Sequence, residues 1–557
     1  MGTLSGTLVD PVQQRVFGAT VIWSEETGRI TSIVPLEDPP PGLILPGFVD
    51  AHVHVESSML PPAEFARIAV RHGTLGAIAD PHEIANVLGI RGIDWMIAQA
   101  KETPFVFGFG APSCVPSTPF ETSGAKLDSL AVTKLLARPE ITHLSEVMNI
   151  PAVLNQDLEI MTKIAAAKDA GKPVDGHAPG LVGRELQQYA DAGISTDHEC
   201  LSLDDAKAKL AAGLFLQIRD GSAAFFQESQ LYLLMAQANR CMFCSDDKHP
   251  DDLLRQHINH IAARAYRKGI PILAIAQAGC ANPVQHYRLP LGLLQVGDTA
   301  DFQLIERLDT FEPKQVWLRG QCVAQQSVSY LPRRPVTVIN RLDAQPIAPA
   351  DLRVPLPNPE ATVRVINLQA GLLATTCTVE PAPGRNGQIT ADLDRDLLKI
   401  VVLCRYQPHA QPAIGLIRGF ELKRGAIASS VSHDAHSIIA VGTSDESLAA
   451  AINQVILMKG GLAVADSNRK VIASLPLPVA GLISTDSAEV TARHYEDCDS
   501  MAKIFGSKLS APFMTLSFLA LPVIPEVKMT DRGLFDATVF KHVPLLVTPS
   551  SSTEISA

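Results

Sequence analysis

The stretch PGFVDAHVHVESSM (residues 46–59) decides how the rest of the chain is read. Its apolar run through Phe48 and Val49 ends in Asp50, His52 and His54. A buried parallel strand that delivers polar side chains to a site at its C-terminal end has this pattern. Along a strand, residues two apart point the same way, so His52 and His54 face one side together.

Downstream lie seven more short apolar segments, most of them ending in polar residues. They are LGAIAD (75–80), FVFGFG (105–110), ITHLSEV (141–147), KPVDGH (172–177), GISTDH (193–198), LFLQIRD (214–220) and CMFCSDD (241–247). Helix-like stretches such as PAEFARIAVRHG and DLEIMTKIAAAKDAG lie between most of them. Eight strand–helix units over roughly 240 residues predict an α/β fold, a (β/α)8 TIM-type barrel. Residues 46–286 form this barrel in our reading. Residues 1–45 and 287–344 are short strands and turns, expected to make one small flanking β domain. QPIAPADLRVPLPNPE (345–360) is proline-rich and reads as a linker. Residues 361–557 then form a separate C-terminal α/β domain, with a frayed tail at TPSSSTEISA.

Metal-binding residue types fall at the ends of these segments. His52 and His54 close the first, Glu146 lies on the fourth, His177 ends the fifth, His198 ends the sixth and Asp246 lies near the end of the eighth. All C-terminal strand ends of such a barrel share one mouth. Six residues far apart in sequence would therefore meet there. Four imidazoles and two carboxylates suit divalent manganese, iron, nickel or zinc. The remaining histidines gain no such support. Cys241 and Cys244 form a single C-x-x-C pair inside an apolar segment and read as structural thiols. His54-Val55-Glu56 is an H-x-E, but no proline precedes Cys241, which sets aside the zinc deaminases of nucleobases.

Composition bounds the rest. The chain has 557 residues, enough for two or three domains, with 46% hydrophobic and 19% charged residues. A net charge of −11 and the lack of a basic tract argue against nucleic acid as a partner. The N-terminus lacks a signal-peptide pattern, and no run of 18 apolar residues predicts a membrane span. Nine scattered cysteines, an odd number, read as reduced thiols in a cytoplasmic enzyme.

Several motifs resemble one family. PGFVDAHVHVESSM is similar to the first-strand motif of the metal-dependent amidohydrolase superfamily, and its Glu-Ser-Ser-Met extension resembles the bacterial adenine deaminase family. DPHEIANVLG (80–89), APSCVPSTPFET (111–122), SEVMN (145–149), DGHAPGL (175–181), DHEC (197–200), SDDKHPDDL (245–253) and VSHDAHSIIAVGTSD (431–445) resemble it too, as does PFMTLSFLALPVIPEVKMTDRGL (512–534). The chain departs from the family around Leu144 and Ser145, where HLSEVMN stands in place of a glycine-richer GLGEVMN, and at Asp220, where a glutamate is expected.

The resemblance implies a binuclear divalent metal centre, with manganese or iron ahead of zinc, that deaminates adenine to hypoxanthine and ammonia. The same barrel and metals would serve another aminopurine or a cyclic amide. It makes His52, His54, His177, His198 and Asp246 ligands and Glu146 the bridging carboxylate. Asp246 is also the expected proton shuttle, and Glu83, with His82 as the alternative, the donor to the purine ring. Ser57, His82, Arg219, His433 and His436 are expected to contact substrate or support the ligands, Arg219 through a salt bridge. The partners expected are a small purine base and, as a homodimer, a second copy of the chain.

Overall fold

The computed structural model describes residues 1–222, 226, 228–369 and 372–547; the tail expected to fray lies outside them. The eight apolar segments become eight parallel strands. They are β1 (Phe48–Val53), β2 (Thr74–Ala79), β3 (Val106–Ala111), β4 (Ile141–Val147), β5 (Val174–Gly176), β6 (Thr196–Asp197), β7 (Phe215–Arg219) and β8 (Cys241–Cys244). Strands β1 to β5 pair in sequence, as do β6 to β8. Backbone bonds join the two groups. At one seam the Asp246 N–H donates to the His52 carbonyl at 2.9 Å and the His54 N–H to the Asp246 carbonyl at 3.1 Å. At the other the Ser195 N–H donates to the Val174 carbonyl at 2.8 Å. The result is a closed (β/α)8 barrel.

Its strands lack the in–out alternation of a half-exposed sheet. β1 and β2 are buried at every position, because helices cover one face and inward side chains fill the other. The helices start where local chemistry favours them. Pro62 opens Pro62–Ala69, and the Asp157 side chain caps Leu158–Asp169 by accepting the Glu159 and Ile160 N–H groups. β5 is shorter than the apolar segment that announced it, since Pro173 has no N–H to give to the ladder.

The chain segments on either side of the barrel share one eight-stranded sheet. Leu43–Pro46 pairs with Gly2–Asp10 on one side and with Phe302–Arg307 on the other. Trp23 packs against Phe302 and Trp317 there, at centroid distances of 5.3 and 6.2 Å.

The C-terminal region is built on a nine-stranded sheet. In its strand Leu398–Leu403, Ile400 and Val402 join the cluster that includes Tyr495, Phe513 and Leu516. Val401 and Leu403 join Leu448, Ile452 and Val455 of helix Asp445–Leu457. Alternate residues thus serve opposite faces, each covered by helices. The proline-rich residues 345–360 are not a free linker. Leu352 is fully buried against helix Asp445–Leu457, and Val354–Pro355 pairs with Gln388–Ile389. Prolines fix an extended backbone, and the apolar side chains between them decide that it docks.

The C-terminal region packs over part of the barrel mouth. The Glu64 carboxylate accepts the Ala488 N–H at 2.8 Å, and Arg67 bridges Glu64 and Glu489 at 2.8 and 2.6 Å. Arg532 donates to the Pro119 and Glu121 carbonyls, both at 3.2 Å, and Phe120 packs on Phe535 at 4.8 Å. Among the described residues no helix is long and apolar enough to cross a membrane.

Phe243 of β8 is fully buried, in the cluster with Phe48 and Ile261. Phe243→Ala is expected to cost about 3–5 kcal/mol by urea unfolding, because the barrel wall cannot collapse around the hole. Val34→Ala, on an exposed position of the edge strand Ile30–Pro35, is expected to stay within about 0.5 kcal/mol.

Candidate metal centre and its C-terminal cover

The strand ends bring all six expected ligands into one mouth. His52 and His54 leave β1 with ring centroids 4.9 Å apart, and His52 stacks on His198 at 4.0 Å. Glu146 of β4 sits among the imidazoles. Its Oε2 lies 2.9 Å from His177 Nδ1 and 3.3 Å from His198 Nε2, and its Oε1 lies 3.5 Å from His54 Nε2. Asp246 follows β8 at φ 57°, a conformation few non-glycine residues adopt. Its Oδ1 lies 3.1 Å from His54 Nε2 and 3.7 Å from His52 Nε2. His177, with 20% of its side chain exposed, marks the open side of the mouth; the other five are buried.

This donor set fits a cation better than it fits itself. His54 Nδ1 faces the Asp80 carbonyl at 3.2 Å, which places the ring proton on Nδ1 and turns the Nε2 lone pair toward Asp246 and Glu146. A lone pair against a carboxylate oxygen repels unless positive charge lies between them. Both ring nitrogens of His52, Nδ1 of His198 and Oε2 of Glu146 are buried without a hydrogen-bond partner. Ligand atoms gather within 4.8 Å of one another in the sets His52–His54–Asp246, His52–Glu146–His198 and His54–Asp80–His82–Glu146. Imidazole and carboxylate in this proportion hold a divalent transition metal.

Two acids in this neighbourhood escaped the sequence reading. Asp80 lies within the ligand distances of the third set, and Glu199 does so beside His177 and His198. Asp80 ends the LGAIAD segment and Glu199 directly follows His198, so each carried the same positional signal as the residues chosen.

Arg219 makes the salt bridge expected of it. Its Nη1 reaches Asp246 Oδ2 at 2.5 Å and its Nη2 donates to Glu199 at 2.9 Å. Burial alone would raise the pKa of Asp246, but the Arg219 guanidinium holds it well below the usual carboxylate range. Ser57 does not reach the cluster through its hydroxyl, which donates to Asp247 at 2.5 Å.

Glu83 and His82 begin the helix after β2, and the C-terminal region closes on them. His82 lies 3.0 Å from Asp80 and 3.4 Å from Glu83. His433 Nδ1 meets Glu83 Oε1 at 2.5 Å, and His436 Nε2 bonds the other Glu83 oxygen. The Ser432 N–H donates to His436 Nδ1 at 3.2 Å, so the ring proton of His436 sits on Nε2 and points at Glu83. The two histidines differ in charge. Burial lowers both, but Glu83 raises His433 to about 9, whereas His436 stays lowered at about 4. Asp434 lies between them in the chain, 3.8 Å from His82.

The amidohydrolase family model matches residues 43–323, and the model of the adenine deaminase C-terminal domain matches residues 373–541. A protein of Salinibacter ruber named adenine deaminase is 47% identical over 98% of this chain and 99% of its own length. One of Parabacteroides distasonis with the same name is 42% identical over 98% of each chain, and one of Methanosarcina barkeri is 42% identical over 98% of this chain and 99% of its own. By these matches, which run through both the barrel and the C-terminal region, the chain belongs to the adenine deaminase family of amidohydrolases.

Proposed function

We propose that this protein hydrolyses adenine to hypoxanthine and ammonia in the barrel mouth. The observation that carries the reading is a buried imidazole–carboxylate cluster, closed by the C-terminal region, in a chain whose end-to-end relatives are named adenine deaminase. His52, His54 and Asp246 would hold one divalent cation and His177 and His198 a second, with Glu146 shared between them and manganese or iron ahead of zinc. Bound there, the metals supply a water molecule whose pKa falls from about 15.7 toward about 7.

The residues of the chain then manage protons. As the water oxygen bonds to C6, an electron pair moves onto N1 and the water releases a proton. Asp246 takes that proton through the side facing the cluster, while Arg219 fixes its other oxygen. Glu83, an ionised carboxylate between His433 and His436, passes a proton from the His433 imidazolium to N1. Asp246 then protonates the amino nitrogen, and the C6–N bond breaks with its electron pair leaving on ammonia. The C6 hydroxyl returns its proton through Glu83 to His433 as the carbonyl of hypoxanthine forms. Each positioned acid or base of this kind contributes about 10²–10⁴-fold. The C-terminal cover keeps bulk water from the developing charge. All nine cysteines are free thiols, which supports a cytoplasmic protein, and we read it as a homodimer.

Protein reconstituted separately with Mn²⁺, Fe²⁺ and Zn²⁺ is expected to release hypoxanthine and ammonia in equal amounts from adenine. Failure to form hypoxanthine with every metal, alongside turnover of another aminopurine or a cyclic amide, overturns the substrate assignment.

Two substitutions separate holding metal from moving protons. Glu146→Gln is expected to drop metal content from about two ions per chain to about one or fewer, since an amide has no charge to balance two cations. Asp246→Asn is expected to keep at least one ion but lose about 10²-fold or more in kcat. Metal analysis and steady-state kinetics on folded variants read both; two tight ions in the first, or normal turnover in the second, contradicts the role given.

A further inference from the structure

Arg405 and Tyr406 lie just beyond the central strand Leu398–Leu403 of the C-terminal sheet, after Cys404, and nothing in the chemistry above uses them. Arg405 is fully buried. Among the described residues its guanidinium donates to neutral oxygens: the Arg341 carbonyl at 3.1 Å, Asn340 Oδ1 at 2.9 Å and the His436 carbonyl at 3.4 Å. Burying a guanidinium without a carboxylate is costly, so its place calls for a reason beyond packing. Gly481 makes room for it. At φ 71° this residue favours glycine, and a Cβ there would come within 2.6 Å of Arg405 Nη1. Tyr406 is also buried, and its hydroxyl donates to the Ala435 carbonyl at 2.6 Å.

Two consecutive side chains therefore grip two consecutive carbonyls, those of Ala435 and His436. The gripped segment needs it. His436 sits at φ 54°, the left-handed region that a histidine seldom visits. With this backbone the Ser432 N–H reaches His436 Nδ1 and the Nε2–H reaches Glu83. Arg405 also binds Asn340 and Arg341, in the segment that crosses from the eight-stranded sheet to the C-terminal sheet. One guanidinium thus ties that crossing to the loop that orients Glu83.

We propose that Arg405 and Tyr406 are positioning residues for the reaction, which hold the Ala435 and His436 carbonyls so that the His436 imidazole fixes the rotamer of Glu83. Neither touches the metal ligands or the substrate. The proposal rests on the proton-donor reading of Glu83, and the test separates the two.

Tyr406→Phe removes one hydroxyl and leaves the ring in place. In the full-length, metal-loaded protein it is expected to lower kcat about tenfold and to leave KM for adenine within about twofold, because a misaimed proton donor weakens the transition state more than substrate binding. Metal content and the unfolding midpoint are expected to stay at wild-type values. In a Glu83→Gln background the same substitution is expected to change kcat by less than about twofold, since the group it positions no longer acts. Arg405→Lys, which keeps the charge but loses the forked donors, is expected to show the same kcat-only loss and serves if Tyr406→Phe folds poorly. A wild-type kcat in both variants, an undiminished tenfold loss in the Glu83→Gln background, or loss of metal or folding in both variants overturns the positioning role. A wild-type kcat for Glu83→Gln itself overturns the donor reading and the proposal with it.

Discussion

Glu146, a buried carboxylate ringed by imidazoles, is the interaction on which the rest of this structure depends. One oxygen faces His177 and His198 and the other faces His54, yet buried nitrogens and oxygens in this ring find no hydrogen-bond partner. Such an arrangement is stable only when positive charge sits among the donors. That requirement fixes the scaffold. The ligands must come from separate strands that end at one level, which a parallel barrel provides. The strands must be rigid and buried on both faces, so that unsatisfied side chains do not rotate away to bond one another.

A site of this kind also needs a dry mouth, and the barrel does not supply one alone. The C-terminal sheet closes one side, where its loop 432–436 reaches Glu83 through two histidines. Their different protonation follows from geometry. His436 has one nitrogen committed to a backbone N–H and can only donate through the other, whereas His433 stacks on Phe518 at 4.4 Å and meets Glu83, with Asp434 3.9 Å from the same nitrogen. His177 remains the most exposed of the six.

The barrel was legible in the sequence because its strands are short and apolar and most run into polar residues, a pattern that survives without knowledge of any contact. The spacing of His52 and His54 and the placement of Glu146, His177, His198 and Asp246 at strand ends drew the six residues together. Asp80 and Glu199 share that placement but not the rarity of histidine, since a lone acid after a strand is also ordinary turn chemistry. The grip of His433 and His436 on Glu83 joins residues about 350 positions apart, and no local pattern encodes it. The docking of residues 345–360 was missed for a related reason. Prolines announce an extended chain, but whether Leu352 finds a groove depends on helix Asp445–Leu457, about a hundred residues later.

The central claim is that the imidazoles and carboxylates of the barrel mouth hold two divalent cations on either side of Glu146. Anomalous diffraction from crystals of the Mn²⁺-loaded protein tests it most directly. Two manganese peaks are expected, one against His52, His54 and Asp246 and one against His177 and His198, with Glu146 between them. A single peak remote from Glu146, or none in protein that retains this fold, would contradict the account.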